Sequence, residues 1–210
     1  MLKLRTVTLA LAVGGVCLVG VSAAANAQTA RQGYEAPNQA NHSGSQKSAN
    51  QSNMAVPARL FAKKAAQDDL AEIKMGKLAE QKGGTAVVRD FGKRIVRDHT
   101  KNLDELKTVA QQQNIQLPTE PNETDMITYQ DLSKLDTQQF DQKYARDMVN
   151  DHVKAVAEFK EEAENGSNTQ IKDYAQKSVP VLETHLRLAR NMQSSVNAEM
   201  APSGQSGNKL

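Results

Sequence analysis

Apolar side chains recur at helical spacing along four long segments of this chain, and this periodicity constrains its fold more than any other feature. In the second segment they are Val88, Phe91, Ile95, Leu103, Leu106 and Ala110. Steps of three, four or eight residues place such side chains on one face of an α-helix. Alternation with a period of two, which indicates a half-buried strand, is almost absent. The folded part is therefore predicted to be all-α.

Breaks in the periodicity divide the folded part into helices. The breaks are Gly83-Gly84, the segment 114–122 with its two prolines, and Asn165-Gly-Ser-Asn168. Long helices are predicted over residues 57–82, 85–113, 137–164 and 169–198, and a short helix over 123–135. Thr85 and Asp136 are expected to cap the second and third long helices. Two helical hairpins joined by a short connecting helix predict a four-helix bundle.

The second and third long helices share an internal repeat. Residues 95–107 (IVRDHTKNLDELK) and 148–160 (MVNDHVKAVAEFK) are identical at six of thirteen positions, and each contains an Asp-His pair. Helical spacing places His99 and His152 on the apolar faces of these helices, and His185 on the apolar face of the last helix. We therefore expect three imidazoles inside the bundle.

Glu72 is the polar residue that the first helix is expected to add to this interior layer. It lies on a line of three- and four-residue steps with Phe61, Ala65, Asp68, Gly76 and Ala79. The small members of this line leave space for a carboxylate inside the bundle.

A buried polar group without a partner lowers the stability of the fold by about 1–3 kcal/mol, so the polar groups of the interior layer need hydrogen-bond or metal partners. In one hypothesis, Glu72, Asp98, Asp151 and Glu183 hold the imidazoles in a hydrogen-bonded network. In the other, Glu72, His99, His152 and His185 bind a metal, and the candidate cofactors are iron, manganese and zinc.

The remaining charged residues are expected to form a solvated surface. They include Lys63, Lys64, Asp68 and Asp69, where the two signs are mixed along one helix. No glycine-rich phosphate loop follows a strand, and no serine nucleophile elbow is present. The one cysteine, Cys17, lies in the N-terminal segment. The sequence thus favours a protein that is not an enzyme.

Both ends of the chain are predicted to lie outside the folded domain. Lys3 and Arg5 precede an apolar run from Val7 to Val21, and Ala25-Asn-Ala27 follows as a cleavage site. This is the pattern of a secretory signal peptide over residues 1–27. Residues 28–56 and 201–210 are rich in Gln, Asn, Ser and Gly, and we expect a disordered spacer and a disordered tail. The bundle domain is therefore expected over residues 57–200, in the periplasm or another exported location.

The charge of the exported chain says little about a partner. Loss of residues 1–27 removes two positive charges and no negative ones, so the net charge of +2 becomes zero for residues 28–210. This balance argues against a nucleic-acid partner. We also expect no transmembrane segment in the exported chain, because no predicted helix is apolar enough over its length.

Six segments, in this order, resemble a family of exported bacterial proteins. They are AEIKMGKLA at 71–79, VRDFGKRIVRDH at 88–99, IQLP at 115–118, FDQKY at 140–144, VNDH at 149–152 and VPVLETH at 179–185. Over residues 58–193 the chain resembles domain of unknown function 4142, whose members are often labelled predicted outer membrane proteins. The resemblance implies a ferritin-like four-helix bundle outside the cytoplasm and supplies no activity. The motif positions are Glu72, Asp98, His99, Asp151, His152, Pro180, Glu183 and His185.

Two main hypotheses follow for the function. A ferritin-like di-metal site takes a Glu from each of two helices and Glu-x-x-His from each of the other two, whereas this chain has adjacent Asp-His pairs that point about 100° apart. The first hypothesis is therefore a non-enzymatic exported bundle with a polar core layer, acting in envelope stress or with an envelope or cell-surface partner. The alternative is a metal-binding or redox protein that uses the same layer.

Overall fold

The computed structural model describes residues 56–199, so the predicted signal peptide, the tail and all but the last residue of the predicted spacer lie outside the described residues. It contains α1 (Val56–Lys82), α2 (Ala86–Gln112), α3 (Glu123–Lys134), α4 (Thr137–Asn165) and α5 (Thr169–Glu199). No strand occurs between residues 56 and 199. The predicted all-α helical bundle is confirmed, and every predicted helix end agrees within one residue.

The predicted N-caps are present, because their side chains satisfy backbone N–H groups that have no partner inside the helix. Thr85 Oγ1 accepts a hydrogen bond from the Val88 N–H group at 3.4 Å, and the Asp136 carboxylate accepts one from Gln139 at 2.8 Å. Asp141 of α4 also accepts hydrogen bonds from the N–H groups of Gly84 and Thr85, both at 3.0 Å. The turn between α1 and α2 is thereby tied to the other hairpin.

The helices pair as two hairpins. α1 packs mainly on α2 and α4 mainly on α5, while α2 and α5 join the hairpins. Short connections of three residues within each hairpin make its two helices antiparallel neighbours. Among residues 56–199, no helix is both long enough and apolar enough to cross a membrane.

The core consists of two apolar clusters with a polar layer between them. Along α2, Ile95 belongs to one cluster and Leu103 to the other, with buried His99 between them. Along α5, Leu182 and Ala189 flank buried His185 in the same way. The bundle therefore holds its buried imidazoles near the middle of its length, between two apolar regions.

α1 and α2 approach closely next to this layer, at Gly76 and Gly92. A Cβ atom on Gly92 would lie 2.7 Å from the Gly76 carbonyl oxygen and 2.9 Å from the Ala79 Cβ atom. We expect Gly92→Ala to lower the free energy of unfolding by about 1–3 kcal/mol, because the two helices must move apart. Urea denaturation would measure this loss. The control is Lys93→Ala on the exposed face, and similar stabilities for the two variants would contradict the prediction.

Candidate metal centre

His99, His152 and His185 converge in the polar layer and are called here the histidine cluster. They come from α2, α4 and α5, and one ring nitrogen from each lies within 4.8 Å of the other two. The ring centroids are 5.8 Å apart for His99 and His152, and 5.3 Å apart for each of the other two pairs. None of the three residues is more than 5% exposed. The expectation that three imidazoles lie inside the bundle is confirmed, and the structure adds that they converge.

Each imidazole donates one N–H group to a fixed acceptor. His99 Nδ1–H donates to Asp69 Oδ1 at 2.8 Å, and His185 Nε2–H donates to Asp98 Oδ2 at 2.9 Å. His152 Nδ1–H donates to the Met148 carbonyl oxygen at 3.0 Å. A carbonyl or carboxylate oxygen only accepts, so the proton of each hydrogen bond belongs to the imidazole. These bonds fix the ring orientations, as the outer partners of metal-ligating histidines do.

The second nitrogen of each imidazole is buried and has no hydrogen-bond partner. These atoms are His99 Nε2, His152 Nε2 and His185 Nδ1. The same holds for Glu72 Oε2 and the Tyr144 hydroxyl oxygen. Glu72 also lies close to the cluster, with its Oε1 atom 3.9 Å from His152 Nδ1. Since buried polar atoms in native proteins are rarely left without partners, this group of atoms requires an explanation.

Two of the imidazoles are neutral near pH 7. Burial lowers the pKa of His152 well below its ordinary value of 6.5, and repulsion from His99 and His185 lowers it further. Burial and repulsion from His99 lower the pKa of His185 to about 4, despite its hydrogen bond to Asp98. In each ring, the outer nitrogen is the one that donates a hydrogen bond and the inner nitrogen is the one without a partner. Because the outer nitrogen carries the proton, the inner nitrogen has a free lone pair.

The pKa values of His99 and Glu72 are raised, whereas those of His152 and His185 are lowered. Burial works against a charge on His99, but its hydrogen bond to Asp69 and the nearby carboxylates outweigh this effect and raise its pKa above 6.5. Burial raises the pKa of Glu72 to about 8, although the charge of His99 acts in the opposite direction. Without a bound ion, the interior of the cluster thus favours a protonated Glu72 near pH 7.

The two Asp-His pairs are not equivalent, contrary to the expectation from the repeat. Asp98 does hold an imidazole, but that imidazole is His185 on α5 and not a neighbour on its own helix. The Asp151 side chain is 41% exposed, and its ion-pair partner is Lys154 at 3.8 Å. The predicted role of Asp151 in holding an imidazole is therefore wrong, and the Met148 carbonyl oxygen takes that place beside His152.

Glu183 lies outside the cluster. Its side chain is 48% exposed and forms an ion pair with Lys160 at 2.7 Å. Residues two positions apart in a helix point about 200° apart, so a glutamate at this spacing cannot face inward together with His185. The prediction that Glu183 holds an imidazole is wrong.

Asp69 is the site residue that the sequence reasoning missed. It was expected on the solvated surface, but it is only 3% exposed and accepts the hydrogen bond from His99. The predicted line steps three residues from Ala65 to Asp68, whereas Asp69 lies four residues after Ala65 and three before Glu72. Both spacings are helical, so periodicity alone does not decide between the two aspartates. Alternating steps of four and three residues, which pass through Asp69, follow one line of buried residues in α1. They are Ala58, Ala62, Ala65, Asp69, Glu72, Gly76 and Ala79.

A second layer of polar side chains holds Asp69 in place. The Asn102 Nδ2 group donates to both carboxylate oxygens of Asp69, at 3.1 and 3.0 Å, and to the Tyr174 hydroxyl oxygen at 2.6 Å. Ser178 Oγ–H has two acceptors in reach, Asn102 Oδ1 at 2.8 Å and the Tyr174 carbonyl oxygen at 2.9 Å. These contacts connect α1, α2 and α5 and restrict the rotation of the Asp69 carboxylate.

The residues fit a single transition-metal ion. Three inward nitrogens and one carboxylate suit ions that accept imidazole and oxygen ligands, such as zinc and iron. His99, His152 and His185 would hold such an ion through the ring nitrogens that have no hydrogen-bond partner. Asp69 and Asp98 already accept hydrogen bonds from the outer nitrogens, whereas Glu72 Oε2 has no hydrogen-bond partner.

Comparison with known proteins identifies the family and no activity. Neither a curated protein nor a solved structure matches the sequence significantly. Residues 43–192, which include all three members of the histidine cluster, match a family model. The chain therefore belongs to the family described as Domain of unknown function (DUF4142).

Proposed function

We propose that this protein binds one transition-metal ion at the histidine cluster, with Glu72 as an additional ligand. The observation that carries the proposal is the set of three buried inner nitrogens without partners. Each belongs to an imidazole whose other nitrogen is already engaged. Metal-ligating histidines characteristically donate their second N–H group to a carboxylate or a carbonyl oxygen, and all three imidazoles do so here.

The free-energy cost of unpaired buried atoms also favours a bound ion. Each buried polar atom without a partner costs about 1–3 kcal/mol, which is a large part of the 5–15 kcal/mol by which a folded domain is usually stable. A cation among the three nitrogens and Glu72 would satisfy these atoms together. It would also favour the carboxylate form of Glu72, which burial alone disfavours. Iron, manganese and zinc remain the candidate ions.

The proposal includes an exported location, which rests on the pattern of residues 1–27. The protein would then bind a metal available in the cell envelope. The chemistry that such an ion supplies when bound is Lewis acidity for zinc, and in addition electron transfer for iron or manganese. The chain's own residues bind and orient the ion. Asp69, Asp98 and the Met148 carbonyl oxygen keep His99, His185 and His152, respectively, in the required tautomers.

The second candidate is a structural polar layer without an ion. It is favoured by the outer hydrogen bonds, since His99 to Asp69 links α2 to α1 and His185 to Asp98 links α5 to α2. Such bonds fix the register of the helices whether or not an ion is bound. In this case the protein would act through its surface, on an envelope partner.

Metal analysis of protein purified from the periplasmic fraction distinguishes the two candidates. We expect about one equivalent of metal in the wild-type protein and none in the triple variant His99→Gln/His152→Gln/His185→Gln. The control is Glu183→Gln, whose side chain lies outside the cluster and whose metal content should equal that of the wild type. Folded wild-type protein that contains no metal and takes up neither iron, manganese nor zinc would overturn the proposal and favour the structural layer.

A further inference from the structure

The histidine cluster borders a cavity of about 520 Å³ in whose wall acidic side chains outnumber basic ones, and we call it the acidic cavity. It lies between α1, α4 and the start of α3, and Glu72, His99 and His152 line it. Its wall contains seven Asp or Glu side chains and two lysines, Lys64 and Lys154. A space with such a wall favours positive ions over negative ions.

The inner end of the acidic cavity carries groups that lack partners. Glu72 is only 6% exposed and its Oε2 atom has no hydrogen-bond partner. His99 Nε2 and His152 Nε2 are likewise buried without partners, and both residues line the same cavity. The carboxylates of the cavity therefore lie in the same space as buried nitrogen and oxygen atoms that have no partner and are of the kind that bind metals.

A depression on the opposite side of the layer has the reverse charge. It is lined by Arg94, Arg97, Lys101 and Lys177 against Asp98 and Glu105. Asp98, which lines this depression, accepts the hydrogen bond from the outer nitrogen of His185. A cation approaching from this side would meet four positive side chains and then the outer side of the cluster. Within residues 56–199, the two sides of the layer therefore differ in how readily they admit a cation.

We propose that the acidic cavity is the route by which a hydrated metal cation reaches the histidine cluster, and that Lys64 limits the rate. This inference rests on the proposed metal centre. Lys64 Nζ donates to Asp68 Oδ2 and to Glu158 Oε2, both at 2.8 Å, and so connects α1 to α4 across the cavity wall. Its charge offsets part of the negative potential that attracts the incoming ion.

Charge substitutions along the route have effects of opposite sign. The double variant Asp68→Asn/Asp125→Asn keeps the size of both side chains but removes two negative charges, and we expect cation uptake to slow by about tenfold at low salt. Lys64→Gln removes a positive charge, and we expect uptake to become about two- to threefold faster. An effect of altered packing would persist at high salt, whereas an effect of charge would not, so the salt dependence of the two rates distinguishes charge from damage.

Stopped-flow absorbance with Co²⁺ and the purified full-length protein measures the uptake rate. The control variants are Asp104→Asn and Lys107→Gln, an exposed ion pair on α2 outside the acidic cavity, and their uptake rates should equal that of the wild type. In about 0.5 M salt the differences should shrink, because the Debye length falls to roughly 4 Å.

The outcomes separate this inference from the proposed function. Uptake in the order Lys64→Gln, wild type, double aspartate variant would support the route. Equal uptake rates in all three proteins, or slower uptake in Lys64→Gln, would overturn the route while the bound Co²⁺ still supported the metal centre. No Co²⁺ bound by the folded wild-type protein would overturn both.

Discussion

Zinc at about one thousand times its dissociation constant is expected to raise the free energy of unfolding of the wild-type protein by about 4 kcal/mol. The three imidazoles come from α2, α4 and α5, so the complete ligand set exists only in the folded bundle. An ion that binds the folded state and not the unfolded state stabilises by mass action. For a domain of this size the increase in melting temperature should be on the order of 10 °C. Calorimetry with zinc and with a chelator measures it.

Two controls make this result specific to the histidine cluster. The variant His99→Gln/His152→Gln/His185→Gln keeps polar side chains in the layer, and zinc should leave its melting temperature unchanged. Mg²⁺ prefers oxygen ligands and should give the wild type little stabilisation. Equal melting temperatures of the wild type with zinc and with the chelator would contradict the prediction.

Replacement of Asp69 by alanine is expected to lower the free energy of unfolding by about 3–5 kcal/mol, in the absence of metal. The Asp69 carboxylate accepts hydrogen bonds from His99 and Asn102 in a site that is almost completely buried. Its removal leaves His99 Nδ1–H and part of the Asn102 amide without acceptors. Urea denaturation of the metal-free protein measures the loss. Metal affinity should also fall, by about 10- to 100-fold, because the orientation of the His99 ring is no longer fixed.

The adjacent aspartate provides a matched control. Asp68 has a side chain that is 32% exposed and is paired with Lys64, whose side chain is 53% exposed. Exposed ion pairs contribute about 0–1 kcal/mol, so Asp68→Ala should cost no more than this. Asp69→Asn keeps an oxygen that can accept from His99 and should lose less stability than Asp69→Ala. Similar losses for Asp68→Ala and Asp69→Ala would show that the buried contact to His99 is not the source of the effect.

The fold was largely predictable because its signals are local. Helical periodicity, the two glycines of the first turn and the caps Thr85 and Asp136 each act within a few residues of chain. The histidines were predictable for the same reason, since each lies in register with apolar residues of its own helix. The structure confirms these predictions because one rotation per 3.6 residues relates spacing to direction.

The partners of the histidines were less predictable, because they depend on which helices are adjacent. Asp98 and Asp151 occupy equivalent positions in the repeat, yet His185 reaches Asp98 at 2.9 Å while Asp151 lies beside the acidic cavity. Arg97 precedes Asp98 whereas Asn150 precedes Asp151, but this local difference does not show which helix lies opposite each aspartate. The difference arises because α2 packs against α5 at one position, whereas α4 faces the cavity at the other.

The sequence by itself determined the helices, the bundle and the inward direction of His99, His152, His185 and Glu72, because these properties follow from the geometry of a single helix. Only the tertiary structure decided that Asp69 holds His99, that Asp98 holds His185, and that Glu183 stays at the surface. It also decided which nitrogen of each imidazole is left without a partner. A hydrogen bond between helices depends on distances of about 3 Å between residues far apart in the chain, and helical periodicity carries no information about those distances.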